Sequence, residues 1–213
     1  MPFDYLRDPD EIERLSFQRI RALSDLRRFD EEQAQVAMRL VHTCGEPELV
    51  EALHFSDGAL AAGLAALAQQ APLLCDVEMV RHGLTKRFLG EQALCFLNDG
   101  RVPALAKARG ETRSMAALEL WAEHLAGSLV VIGNAPTALF RLLEMLEAGA
   151  PRPALVVGMP VGFIGAAESK QALVEHGQAL GIEWITLSGR RGGSALAAAS
   201  VNALARLQRG IRW

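Results

Sequence analysis

Three glycine-rich turns in the second half of the chain constrain its fold more than any other feature. They are Gly133-Asn-Ala-Pro-Thr, Gly158-Met-Pro-Val-Gly and Gly189-Arg-Arg-Gly-Gly-Ser, and each one follows an apolar run and precedes a helical pattern. Strand, turn and helix in this order predict an open α/β sheet that binds its ligand at the carboxyl ends of the strands. Because helix amino termini point N–H groups at that edge, we expect an anionic or carbonyl-rich ligand.

Apolar strands and amphipathic helices alternate along most of the chain. Strands are predicted at residues 73–75, 93–97, 128–132, 154–157 and 183–187. Helices are predicted at residues 9–25, 30–45, 56–70, 112–125, 137–148, 168–178 and 194–207. Near-continuous apolar strands are typical of a parallel sheet that is covered on both faces. We therefore expect a three-layer α/β/α fold with a mostly parallel central sheet and an N-terminal helical segment, forming one domain over residues 1–213.

Composition and charge exclude several classes of protein. No apolar stretch is long enough for a membrane span, and a net charge of −3 does not favour nucleic acid as a partner. The first ten residues lack the basic and apolar segments of a signal peptide, so we expect a cytoplasmic protein. The three cysteines, Cys44, Cys75 and Cys95, are too widely spaced for a disulfide framework or a zinc site. No histidine or cysteine cluster has metal-ligand spacing, so no metal site is predicted.

His42 is the strongest candidate for proton transfer. It lies near the predicted end of the second helix, three residues before Gly45, which is suited to end that helix. The carbonyl dipoles at a helix carboxyl terminus favour the imidazolium form, so His42 could deliver a proton to a ligand near neutral pH. The alternative is a histidine that only complements the helix dipole.

The segment from Asp76 to Arg87 follows the first predicted strand and so belongs near the carboxyl edge of the sheet. Its acidic residues, Asp76 and Glu78, could act as bases, and Thr85, Lys86 and Arg87 could reach a ligand. Asp76 could equally cap the helix that starts at the strand-to-helix turn, with solvated basic residues after it. The segment alone leaves both interpretations open.

Arginines near the other turns could hold an anion. Arg113 follows Thr112, a candidate helix cap, and Arg190 or Arg191 can form a forked contact with a carboxylate beside the flexible glycines. A phosphate would fit the same turns. The glycine patterns of dinucleotide-binding and P-loop proteins are missing, and so is the nucleophile elbow of the α/β hydrolases. The residues therefore indicate an anionic small molecule and no cofactor.

Several motifs together resemble those of the precorrin-8X methylmutase family. They are Ser16-Phe17, Val41-His-Thr-Cys-Gly, Cys75-Asp-Val-Glu-Met-Val-Arg-His-Gly, Thr112-Arg-Ser, Gly133-Asn-Ala-Pro-Thr-Ala-Leu, Gly158-Met-Pro-Val-Gly-Phe-Ile-Gly-Ala-Ala-Glu-Ser-Lys and Gly189-Arg-Arg-Gly-Gly-Ser. The resemblance extends over nearly the whole chain. It implies the isomerisation of precorrin-8X to hydrogenobyrinate in cobalamin biosynthesis, in which a methyl group moves from C-11 to C-12.

The resemblance also implies roles for single residues. His42 matches the family's proton donor and acceptor, and Ser16 matches a substrate contact. The substrate carries acetate and propionate groups, which the glycine turns and basic residues could hold. The expected substrate contacts are Ser16, Thr85, Lys86, Arg87, Arg113, Asn134, Arg190 and Ser194. No cofactor is expected, and family members form homodimers, so we expect a homodimer here.

Two alternatives come from other functional classes. A corrinoid carrier without catalytic activity would use the same turns, and substitution of His42 would distinguish it from an enzyme. A transferase that uses S-adenosylmethionine or ATP would need a cofactor site that the motifs do not provide. The resemblance leaves open whether the substrate is metal-free or already contains cobalt.

Overall fold

The computed structural model describes residues 3–213 and contains alternating helices and short strands. The helices are α1 (Pro9–Leu23), α2 (Glu31–Cys44), α3 (Ala59–Ala68), α4 (Glu78–Gly83), α5 (Lys86–Leu89), α6 (Val102–Arg109), α7 (Arg113–Leu118), α8 (Pro136–Glu147), α9 (Ala166–His176) and α10 (Ser194–Leu207). The strands are β1 (Leu53–Phe55), β2 (Leu73–Cys75), β3 (Ala93–Leu94), β4 (Leu129–Ile132), β5 (Leu155–Gly158) and β6 (Glu183–Leu187). Short 3-10 helices lie at Pro47–Ala52 and Glu119–Trp121.

The strands form one sheet in the order β1-β6-β5-β4-β2-β3. β1 is antiparallel to β6, and the remaining neighbours are parallel. From β2 the chain moves outward to β3 and then crosses back to β4 on the other side of β2. This reversal places the topological switch point between β2 and β4, where sheets of this class open their ligand crevice.

Helices cover both faces of the sheet, which confirms the predicted three-layer α/β/α fold. On one face of the sheet, Leu73 and Val131 pack in a core with residues of α2, α3, α4 and α10. On the other face, Leu74 and Val130 pack with residues of α7, α8 and α9. The central strands β2, β4 and β5 are buried on both faces, which explains why they read as continuous apolar runs.

The N-terminal helices have well-defined ends. Asp8 caps α1, and Asp30 and Gln33 form a reciprocal capping box at the start of α2. Gly45 ends α2 in the left-handed conformation, with φ of 74°, and its N–H group donates to the carbonyl of Val41. The predicted boundaries of this helix are thus confirmed, and α2 packs along α10.

Several elements differ from the sequence predictions. The edge strand β1 and the helices α4, α5 and α6 were not predicted, and the helix expected at 112–125 continues as a 3-10 turn after Leu118. β1 has only three residues and forms because β6 supplies its hydrogen-bonding partners. The helix expected from Ser56 begins at Ala59, because Ser56 and the N–H group of Gly58 bind the Glu183 carboxylate instead. Among the described residues, no helix has the length and apolar content needed to cross a membrane.

Candidate active site

A groove of about 700 Å³ runs between α1 and the carboxyl end of α2. Most of its lining is apolar, and Ser16, Arg19 and His42 supply polar side chains. The apolar residues that line it are Leu6, Ile12, Leu15, Ile20, Leu23, Val41 and Pro47. An apolar groove with a few converging polar groups is the usual form of a small-molecule site.

His42 and Ser16 meet at this groove. His42 lies in the last turn of α2, and its Nδ1 is 3.0 Å from the hydroxyl oxygen of Ser16 on α1. The ring also stacks on Phe17, with centroids 5.0 Å apart. The Ser16 hydroxyl can donate to Nδ1 or accept a hydrogen from it, so the contact holds the ring in either tautomer. The contacts from α1 therefore define the position and the plane of the imidazole.

The electrostatics of His42 differ from the expectation based on the helix dipole. Partial burial against α1 lowers the pKa of His42, the charge of Arg39 lowers it further, and Glu13 acts in the opposite direction. The direction of this shift is opposite to the one expected from the helix dipole alone, and it favours the neutral imidazole in the unliganded protein.

The Asp76 carboxylate occupies the switch point of the sheet. It accepts hydrogen bonds from the N–H groups of Gly133, Asn134 and Ala135, at 3.1, 2.9 and 2.9 Å. Burial raises the pKa of Asp76, and these three donors oppose that rise. Asp76 is consequently a structural acceptor for the turn between β4 and α8. Neither sequence interpretation describes it, because its carboxylate is not free to act as a base and α4 has no side-chain cap.

The predicted contacts in the segment after Asp76 lie away from the groove. The N–H group of Thr85 donates to Asn202 at 2.8 Å, and Lys86 forms an exposed ion pair with Glu91 at 2.8 Å. The Arg87 guanidinium lies over the Phe88 ring. Glu78, the second candidate base, pairs with Arg81 at 2.7 Å.

Three other predicted contacts lie along the carboxyl edge of the sheet. Asn134 is exposed in the turn after β4, and Ser194 is the buried first residue of α10. The backbone of Ser194 packs against Gly133, next to Asn134. This close approach is possible because Gly133 has no side chain, and a Cβ atom there would be 2.7 Å from the Cα of Ser194. Arg113 begins α7 and donates to the Leu97 carbonyl and the Asn98 side chain.

The turn that contains Arg190 lies between the sheet edge and the end of α2. The Arg190 guanidinium lies over the exposed Phe163 ring, and Arg191 forms an ion pair with Glu46 at 3.2 Å. Because Glu46 directly follows Gly45, this ion pair joins the third glycine turn to the end of the helix that carries His42. Beneath the turn, the buried ammonium of Lys170 donates to the carbonyl of Arg191.

Sequence reasoning missed several residues that surround His42 or support the turns. Phe17 was not predicted as a contact of the imidazole, although it directly follows Ser16. Arg39 was also missed, although its spacing of three residues from His42 on one helix was a readable signal. Lys170 gave no such signal, because its burial depends on the packing of α9. Within residues 3–213, no group of three or more His, Cys, Asp or Glu side chains is arranged to hold a metal ion.

Comparisons with known proteins agree over nearly the whole chain. A family model described as precorrin-8X methylmutase matches residues 11–207. The precorrin-8X methylmutase of Sinorhizobium sp is 54% identical over 96% of this chain and 97% of its own length. The one from Pseudomonas aeruginosa is also 54% identical, over 95% of this chain and 97% of its own length.

More distant relatives and a solved structure give the same result. The cobalt-precorrin-8 methylmutase of Salmonella typhimurium is 40% identical over 94% of this chain and 96% of its own length. A crystal structure of precorrin-8x methyl mutase from Thermus thermophilus superposes with a TM-score of 0.84 at 37% identity, and covers 95% of this chain and 98% of that one. The chain therefore belongs to the precorrin-8X methylmutase family, whose members are isomerases.

Proposed function

We propose that this protein isomerises precorrin-8X to hydrogenobyrinate by moving a methyl group from C-11 to C-12 of the ring. Membership of the family supports the reaction. The single observation that supports the location of the site is the contact between Ser16 and His42 beside an apolar groove. A flat tetrapyrrole needs apolar walls for its faces and polar groups at its rim, and this groove offers both.

His42 would transfer protons while the methyl group moves. The bond from the methyl carbon to C-11 breaks as its bond to C-12 forms, so no atom enters or leaves the molecule. In this proposal His42 donates a proton to a ring nitrogen and later recovers it, which lets the double bonds rearrange. A substrate with many carboxylates brings negative charge beside His42, which raises the pKa of the imidazole and favours the protonated form after binding.

The sheet edge supplies groups that could bind the carboxylates of the substrate. Arg190 and Asn134 are exposed there. Gly165 and Gly193 occupy the N-cap positions of α9 and α10 and have no side chain to cap the free N–H groups. Arg113 and Lys86 already have partners, so they would have to exchange these for a carboxylate. Ser194, Thr85 and Arg87 stay predictions of substrate contact.

The comparisons favour the metal-free substrate over the cobalt-containing one. Two relatives named for precorrin-8X are 54% identical to this chain, whereas the relatives named for cobalt-precorrin-8 are 34–40% identical. Direct comparison of turnover with metal-free and cobalt-containing substrates tests this. Faster conversion of the cobalt form would contradict the proposal.

We also propose a homodimer in the cytoplasm, as the resemblance to the family implies. Phe163 and Ile164 support a dimer, because their side chains are 86% and 91% exposed on the loop beside Arg190. Sedimentation equilibrium should give twice the chain mass of 23.0 kDa. Cell fractionation tests the location, and recovery of the protein with membranes would contradict it.

The decisive experiment follows the visible spectrum of precorrin-8X mixed with the purified protein, without any added metal or cofactor. The intact protein should convert it to hydrogenobyrinate, and His42→Ala should lower the rate by about a hundredfold or more, the usual scale for loss of an acid-base group. His176→Ala is a matched control, because His176 also ends a helix but lies outside the groove. Product binding should survive in His42→Ala, and binding by the intact protein without turnover would indicate a carrier.

A further inference from the structure

The His42 ring is the outer member of a column of three stacked rings. His42 stacks on Phe17, and Phe17 stacks on Trp213 with centroids 4.1 Å apart and planes 10° apart. The central ring, Phe17, is buried between the other two. The orientation of the imidazole therefore depends on Phe17, and the position of Phe17 depends on the indole behind it.

Trp213 is held in place by three helices. Its indole Nε1 donates to Glu13 of α1 at 3.0 Å. Its backbone N–H and carbonyl groups form a reciprocal pair of hydrogen bonds with the side chain of Gln35 on α2, at 2.9 and 3.2 Å. The guanidinium of Arg206, from α10, lies 4.5 Å from the centre of the indole ring. Trp213 thus connects α1, which carries Ser16, to α2, which carries His42.

Charged groups around Trp213 are the same ones that act on His42. Arg39 lies over the indole at 5.4 Å, and Glu13 is 3.2 Å from Arg206 and 3.9 Å from Arg39. Arg39 and Glu13 are the two charges that shift the pKa of His42, in opposite directions. The indole therefore fixes the positions of these charges relative to the imidazole, in addition to fixing Phe17.

We propose that Trp213 is a positioning residue for the methyl shift, because it holds Phe17 and Glu13 and through them sets the orientation of the His42 imidazole. The inference rests on the proposed role of His42. Trp213 lies outside residues 11–207, the range that the family model matches, so that match assigns it no role. Trp213 contacts no reacting atom in this proposal, and its effect is transmitted through the ring stack.

The test compares Trp213→Leu and Trp213→Phe in the full-length protein, with precorrin-8X as substrate. Leucine keeps an apolar side chain behind Phe17 but removes both the aromatic stack and the hydrogen bond to Glu13. Phenylalanine also removes that hydrogen bond but keeps the stack. We expect kcat to fall about tenfold in Trp213→Leu with KM nearly unchanged, on the scale of a small misplacement of a catalytic group. Trp213→Phe should restore most of the loss.

A control and a second measurement separate positioning from stability. Trp121→Phe alters a fully buried indole in the core against the other face of the sheet and should lower stability without changing kcat. NMR titration of His42 needs no turnover, and in Trp213→Leu it should show a changed ring environment and a pKa closer to the ordinary value. An unchanged kcat and His42 signal in Trp213→Leu, or an equal loss of kcat in Trp121→Phe, would overturn the inference. Full activity in His42→Ala would instead refute the proposed role of His42.

Discussion

At the scale of single residues, His42 gains its chemistry from residues on other parts of the chain. Ser16 holds Nδ1, Phe17 fixes the ring plane, and partial burial and Arg39 lower the pKa. An isolated helix ending in histidine would have the opposite tendency, toward the imidazolium. The surroundings of His42 therefore favour the neutral ring before an anionic substrate binds.

Ser16→Ala tests the contact that orients the imidazole. Without the hydroxyl the ring loses its hydrogen bond at Nδ1 and is less firmly oriented, so we expect kcat to fall by about tenfold, on the scale of one hydrogen bond. Steady-state kinetics with precorrin-8X measure this. Ser24→Ala, at the end of the same helix, is the matched control and should leave kcat unchanged. Equal kinetics in both variants would show that the contact has no role.

At the scale of secondary-structure elements, two of the three glycine turns are held together by backbone contacts. The N–H group of Gly193 donates to the Met159 carbonyl, and Gly192 lies so close to Pro160 that a Cβ atom would be 2.6 Å from its carbonyl oxygen. The turns after β5 and β6 therefore form one unit. The buried Lys170 ammonium stabilises this unit by donating to the carbonyl of Arg191.

Gly192→Ala tests whether this unit needs the close approach. Because the obstructing atoms are backbone carbonyls, the turns must move apart, and we expect a loss of about 2 kcal/mol in the free energy of unfolding, with weaker product binding. Urea unfolding and a spectroscopic titration with hydrogenobyrinate measure the two effects. Gly100→Ala is the control, because a Cβ atom there meets nothing within 4 Å. Wild-type stability of Gly192→Ala would contradict the close packing.

Asp76→Asn tests the buried carboxylate that binds the turn at the switch point. Asparagine has the same shape but offers one acceptor oxygen to three N–H donors, so we expect the free energy of unfolding to fall by about 2 kcal/mol. Chemical unfolding at pH 7 measures the loss. Asp57→Asn, at an exposed turn residue, should change stability little. If the two variants were equally stable, the turn would not need the carboxylate.

At the scale of the whole molecule, three groups should shape the alkaline pH dependence of stability. Burial raises the pKa values of the Cys75 and Cys95 thiols, so above about pH 9 both groups lower the free energy of unfolding as the pH rises. Lys170 acts in the opposite direction, because burial lowers its pKa to about 8 from its ordinary value of 10.5. Between these pH values the unfolded chain keeps a Lys170 proton that the folded protein has released, so Lys170 by itself contributes a rise of about 3 kcal/mol.

Lys170→Met should remove this rise, because methionine has a similar length and no charge to bury. Urea unfolding at pH 7.5, 9 and 10.5 compares the two proteins, and we expect their difference to change with pH while Lys107→Met, at an exposed lysine, follows the wild type. Parallel pH profiles for wild type and Lys170→Met would show that Lys170 keeps an ordinary pKa. A single cooperative transition in the same data would support one domain over residues 1–213, which stays a prediction.

The sequence by itself determined the elements whose signals are local. Apolar runs, capping residues and Gly45 predicted the parallel strands and the first two helices, because these structures depend on neighbours a few residues away. The motifs taken together, through their resemblance to a known family, also predicted the family and the residues Ser16 and His42. Both residues lie in short sequence motifs, so no tertiary information was needed to single them out.

Only the tertiary structure decided how distant residues act on one another. β1 forms because β6 lies beside it, Asp76 binds the N–H groups of a turn that starts 57 residues later, and Trp213 stacks on Phe17 across almost the whole length of the chain. The pKa of His42 likewise depends on burial against α1, which shifts it in the direction opposite to that expected from the dipole of its own helix. Such effects arise from contacts that packing creates between residues far apart in sequence, and local patterns carry no record of them.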